Sequence, residues 1–127
     1  MPKTMTLPAG TRCLVLEDEF LIALDLQDIL EGAGAASVIC RSNVAEALAA
    51  LDSGAKFDFA LLDVHLGGAT LTSFSVAAAL TERKIPFVFL TGMHRDGPQM
   101  SAYPDAPMLE KPYQQAELLA AISSILP

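Results

Sequence analysis

The segment FALLDVHLGG, residues 59–68, runs four apolar residues straight into an acid, Asp63, with Gly67 and Gly68 close behind. A short continuous apolar run of this kind suits a strand covered on both faces, as in a parallel sheet. A carboxylate at the end of such a strand costs free energy unless a partner or a metal holds it. What holds Asp63 is the question the rest of the chain has to answer.

Outward from this run, short apolar stretches alternate with helical patterns. CLVL at 13–16 is a strand candidate closed by Glu17 and Asp18. Ile22, Leu26, Ile29 and Leu30 then fall on one helical stripe, which EGAGA at 31–35 stops. ASVIC at 36–40 reads as a second, shorter strand. Asn43 is placed as an N-cap with Glu46 three residues on, ahead of Val44, Ala47, Leu48 and Leu51. A third, Ala-rich helix is expected over 71–80 with Leu71, Phe74 and Ala78 on one side. PFVFLT at 86–91 is a fourth strand and PMLEK at 107–111 a short fifth. Pro112 suits the first position of a last helix carrying Leu118, Leu119, Ile122 and Ile125. The stretch 92–107 holds three prolines and two glycines, so a helix there is expected to be short or irregular. Strand–helix alternation calls for a parallel sheet covered on both faces, with right-handed crossovers.

Composition bounds the rest. A length of 127 residues suits one domain, and 52% hydrophobic with 18% charged residues excludes a disordered chain. No apolar run approaches the roughly 20 residues of a spanning helix. Residues 1–11 lack an apolar signal-peptide core and are expected to be a flexible lead-in to a domain over 12–127. Cys13 and Cys40 lie far apart, outside any Cys-x-x-Cys arrangement, and suit reduced thiols of a cytoplasmic protein. A net charge of -7 argues against nucleic-acid binding and favours cations and basic partner surfaces.

The strand ends carry the chemistry. Glu17 and Asp18 follow the first strand, Asp63 the third, Thr91 the fourth and Lys111 the fifth. In an open parallel sheet the ligand site lies outside the carboxyl ends of the strands, so these groups converge on one rim. Clustered carboxylates repel, and a hard cation such as Mg2+ relieves the repulsion through oxygen ligands. A carboxylate can also act as nucleophile toward phosphorus, with Mg2+, Lys111 and the Thr91 hydroxyl neutralising charge.

On LVLEDE, LLDVHLGG, FLTG and EKPY, in this order and spacing, the chain resembles the receiver domain of two-component response regulators over 12–126. The resemblance implies an α/β flavodoxin-like fold, a doubly wound parallel sheet in strand order 2-1-3-4-5. It implies that Asp63 is the phospho-acceptor, taking its phosphoryl group from a histidine kinase or histidine phosphotransfer protein in a phosphorelay. Asp18 and Glu17 match the metal-binding acids, with Asp63 and the backbone carbonyl of His65 as further ligands of Mg2+. Thr91 and Lys111 match the switch hydroxyl and the lysine, whose bond to Pro112 is typically cis in the family. The aromatic that usually follows the hydroxyl is replaced by Met108. PFVFLTGMH is similar to the Phe-Ala-Thr-Gly-hydrophobic-Tyr motif of an atypical single-domain subgroup tied to stress signalling in alphaproteobacteria, with Leu90 and His94 in place of alanine and tyrosine.

Rival readings stand beside this one. Taken alone, Asp63 reads as a turn acid, Lys111 as a surface lysine, Glu17 as a solvated neighbour of Asp18, and His94 as a loop residue. An aspartyl-nucleophile phosphatase would carry a second Asp where His65 stands. A flavin carrier would open on a Ser/Thr-rich phosphate loop rather than EDEF. A receiver excised from a hybrid kinase remains open. The expectation is a monomeric signalling module that is not an enzyme beyond its own phosphorylation and dephosphorylation. It has no membrane or nucleic-acid partner, and with no effector domain after Pro127 its output is protein–protein contact. Phosphorylation is expected to shift 92–107 between looser and more ordered arrangements, altering a partner surface of His94, Arg95, Asp96 and Tyr103.

Overall fold

The computed structural model describes residues 6–64, 73–91 and 103–126. These form β1 (Arg12–Leu16), α1 (Phe20–Gly32), β2 (Ser37–Arg41), α2 (Val44–Asp52), β3 (Phe59–Asp63), α3 (Phe74–Glu82), β4 (Phe87–Thr91), β5 (Met108–Glu110) and α4 (Gln115–Ile125). The strands make one five-stranded sheet in the order β2-β1-β3-β4-β5. Every pairing is parallel. This is the parallel sheet expected from the alternation, in the flavodoxin-like order that the family resemblance implies. The irregular helix expected within 92–107 falls largely on residues outside those described.

The central strands are apolar on both faces because both faces are covered. Leu14, Leu16, Ala60, Leu62, Phe87 and Phe89 pack with Ala47 and Leu51 of α2 and with Val76, Ala77 and Leu80 of α3. The alternate residues Cys13, Val15, Phe59, Leu61, Val88 and Leu90 pack with Leu26 and Leu30 of α1 and with Leu118, Leu119 and Ile122 of α4. Each fully buried Leu or Phe contributes about 1.5–3 kcal/mol by leaving water. No helix among the described residues is long and apolar enough to cross a membrane.

Local signals set most boundaries. Asn43 caps α2 as expected, its Oδ1 accepting from the Glu46 N–H at 2.8 Å. Gly34, at φ +108°, lets the chain turn left-handed after α1, where the Ala35 N–H donates back to the Leu30 carbonyl at 3.0 Å. Leu7, within the expected lead-in, donates its N–H to the Ala33 carbonyl at 2.7 Å and packs against the α1/α4 core.

Two expectations need correction. The third helix starts at Phe74 and buries Val76, Ala77 and Leu80, while Ala78 is exposed. Leu71 lies outside the described residues. The Ala-rich run looks alike on every side, so the bulky Val76 and Leu80 decide which face turns inward. The last helix starts at Gln115 rather than Pro112. A capping box in which Gln114 and Glu117 satisfy each other's backbone N–H groups sets that start. Pro112 precedes it in a cis peptide with Lys111.

Both cysteines are free thiols on strands. Burial pushes the Cys13 thiol up to about 12. Burial also raises that of Cys40.

Candidate functional site

The carboxyl ends of β1, β3, β4 and β5 meet on one rim. Asp63 and Thr91 are the last residues of β3 and β4, and both are buried. Parallel register sets their depth: Asp63 lies opposite Leu90, and Thr91 lies opposite Glu110. The Lys111 N–H donates to the Thr91 carbonyl at 2.8 Å, continuing the β4–β5 ladder one residue and fixing where the lysine leaves the sheet.

From there the Lys111 ammonium reaches inward, 3.2 Å from Glu17 Oε1 and 3.5 Å from Asp63 Oδ2. Carboxylate oxygens of Glu17, Asp18 and Asp63 all lie within 4.8 Å of one another. Four of the residues singled out from sequence are therefore gathered in space, and Thr91 ends the strand beside them. His65 and His94 lie outside the described residues.

Glu17 is not the solvated neighbour of Asp18 that it resembled in sequence. It is 2% exposed, whereas Asp18 is exposed. The alternation of β1 explains this: Cys13 and Val15 face the α1/α4 core, and Glu17 continues that side into the site. Its second oxygen accepts from the Glu19 N–H at 3.2 Å.

The electrostatics follow from burial and charge. Burial, then the nearby Asp63 charge, push the Glu17 carboxyl up to about 7, against the pull of the Glu19 N–H and Lys111. Burial disfavours the Lys111 ammonium, but Asp63 and Glu17 outweigh it and hold that pKa above its ordinary value. The lysine thus stays charged while the acids compete for it. An all-oxygen donor set with surplus negative charge is what a hard divalent cation requires.

Beside the acids runs a groove of about 470 Å³ between α1 and β2, lined by Asp18, Phe20, Leu24, Cys40, Arg41 and Glu46 among others. Phe20 is 74% exposed and Leu21 76%, with Leu24 also exposed. The helical stripe read from sequence missed these residues because it followed the buried face of α1. The signal available was apolar residues at 20, 21 and 24, off the 22-26-29-30 stripe.

No family model matches the chain. The chain is 39% identical to SdrG from Pseudomonas melonis Fr1, solved in its BeF3-activated conformation. That match covers 95% of this chain and 100% of the other, at a TM-score of 0.75. It is 29% identical to a response regulator receiver protein from Sinorhizobium medicae WSM419, covering 90% and 92% of the two chains at a TM-score of 0.79. It is also 28% identical to the phyllosphere-induced regulator PhyR of Methylorubrum extorquens, over 92% of this chain but only 44% of that protein. The chain therefore spans less than half the length of that curated relative. A full-length match at this identity, on a 2-1-3-4-5 sheet with acids and a lysine gathered at its strand ends, means that the chain belongs to the response regulator receiver domains of two-component signalling.

Proposed function

We propose that this receiver accepts a phosphoryl group on Asp63 from a histidine kinase or histidine phosphotransfer protein and signals through protein–protein contact. The observation that carries the proposal is the Lys111 ammonium set between the buried carboxylates of Glu17 and Asp63. A buried acid with a cation at hydrogen-bond range and an open rim beside it is poised as a nucleophile rather than as a structural cap.

In the step proposed, an Asp63 carboxylate oxygen bonds to phosphorus while the bond from phosphorus to the donor nitrogen breaks, and the electron pair leaves with the donor. Lys111, within 3.5 Å of Asp63, neutralises charge on the transferring group. The Thr91 hydroxyl, at the end of the neighbouring strand, is assigned to hold a phosphoryl oxygen. Glu17 restrains Lys111, and Asp18 with Asp63, Glu17 and the His65 carbonyl would hold Mg2+. When bound, such an ion would supply charge neutralisation at the site. Similarity to SdrG, a protein solved in a BeF3-activated conformation, supports reading this chain as a receiver with an activated state.

A protein donor is favoured by the exposed Phe20, Leu21 and Leu24 beside the rim, since a clustered apolar surface next to a charged site suits a macromolecular partner. Exposed acids on the same helix, Asp25 and Asp28, favour a basic edge on that partner. The location proposed is the cytoplasm, the state monomeric, and the chain not an enzyme toward other substrates. Incubation with acetyl phosphate and Mg2+, followed by intact mass, tests the proposal. A phosphate-sized increase that Asp63→Asn abolishes supports it, and persistent labelling of that variant removes Asp63 from the role.

A further inference from the structure

Met108 stands where the family resemblance places the aromatic that follows the switch hydroxyl. It lies opposite Phe89 in the β4–β5 pairing, yet it is 37% exposed and belongs to neither core. Another ring covers Phe89. The Tyr103 centroid lies 5.9 Å from that of Phe89 at 65°, 5.7 Å from Phe87 at 69°, and 6.4 Å from Phe74 in a near-parallel stack at 12°. Phe74 and Phe87 in turn touch Phe89, at 5.5 and 5.3 Å. The four rings form one interlocked cluster.

The cluster adjoins the site through β4. Phe87 and Phe89 face the α2/α3 core, so Thr91, two residues beyond Phe89, stands on the same face of the strand. Thr91 is fully buried, so displacement of its side chain toward Asp63 opens space at the Phe89 end of the cluster. Close-packed rings do not deform smoothly; they change position in steps.

Of the four rings, three are anchored on regular elements: Phe74 on α3, Phe87 and Phe89 on β4. Tyr103 sits on neither helix nor strand and is only partly buried. It also lines a cavity of about 300 Å³ with Ile85, Phe87, Pro104 and Ala106, which gives the ring a second place to go. Its hydroxyl lowers the cost of an excursion toward water.

We propose that Tyr103, rather than any residue of β5, is the aromatic whose ring position follows Thr91. This inference rests on the proposed role of Asp63 as phospho-acceptor.

The test uses the whole chain carrying 3-fluorotyrosine, observed by fluorine NMR with beryllofluoride and Mg2+ as the probe. The chain has two tyrosines, Tyr103 and Tyr113, and Tyr113→Phe assigns their signals. The expected result is a displaced Tyr103 resonance once the bound-beryllofluoride signal appears. Thr91→Ala removes a proposed phosphoryl contact and should weaken beryllofluoride binding; titrated to the same bound signal as the unmodified chain, it should lose the displacement that Thr91→Ser retains. A bound signal with Tyr103 unmoved overturns the inference and leaves the acceptor role of Asp63 standing. A displacement that survives in Thr91→Ala overturns the link to Thr91. Absence of a bound signal in the unmodified chain overturns the acceptor role, and the inference falls with it.

Discussion

Lys111 lies closer to Glu17, at 3.2 Å, than to Asp63, at 3.5 Å. The buried glutamate, not the proposed acceptor, is thus the lysine's nearer partner. Glu17 holds the ammonium at the rim, and the price is a second carboxylate beside Asp63 in a water-poor setting.

That cost has a pH signature. The Glu17 carboxyl moves from an ordinary 4.5 to about 7 in the folded chain, so between those values the folded state binds a proton that the unfolded state has released. Stability from this group is therefore full below about 4.5 and declines as pH rises to about 7. Glu17→Gln does not ionise. It should raise the urea midpoint at pH 8 by the equivalent of about 1 kcal/mol or more, and change it little at pH 4. Equal effects at both pH values would contradict this balance.

Metal affinity should run the other way. A cation competes with the Glu17 proton, so apparent Mg2+ affinity should climb through pH 6 to 8 and flatten above it. Calorimetric titration across that range is the measurement, with Glu17→Gln expected to give a shallower dependence.

Asp18 is exposed and reaches the cluster without an ion pair among the described residues, whereas Glu17 is engaged by Lys111 and the Glu19 N–H. Asp18→Asn should therefore cost more Mg2+ affinity than Glu17→Gln. A larger loss in the Glu17 variant would reverse the order, and similar losses would point to equal sharing.

The exposed apolar face of α1 should matter only for a protein donor. Leu21→Ser is expected to slow transfer from a phosphorylated kinase or phosphotransfer domain about tenfold, equivalent to about 1.4 kcal/mol of docking energy. Labelling by acetyl phosphate should be unchanged. Loss of both activities would mean that Leu21 serves the fold instead.

The sheet was legible in the sequence because its central strands are two-sided and read as unbroken apolar runs at 13–16, 59–62 and 87–90. Strand ends told which residue types share the rim, and Asn43 announced α2. The start of α3 was not legible, since alanine is small enough for either side of a helix. The division of labour between Glu17 and Asp18 was hidden for a different reason. Adjacent residues at a strand end face opposite ways, and which one enters the site depends on where the chain leaves the sheet. The sequence places Tyr103 on a partner surface but carries no local signal of its ring packing. Its position over Phe74, Phe87 and Phe89 exists only once α3 and β4 are assembled.

The two cysteines bear on what kind of signal this domain can register. Only the thiolate reacts readily with peroxide or disulfides, and a thiol held up at about 12, as Cys13 is, carries almost none at neutral pH. Cys40 is displaced in the same direction by its own burial. Oxidative conditions that would modify an exposed, acidic cysteine should leave Cys13 and Cys40 as thiols. Under the proposed function, phosphorylation of Asp63 rather than thiol oxidation is then the covalent event that this domain registers.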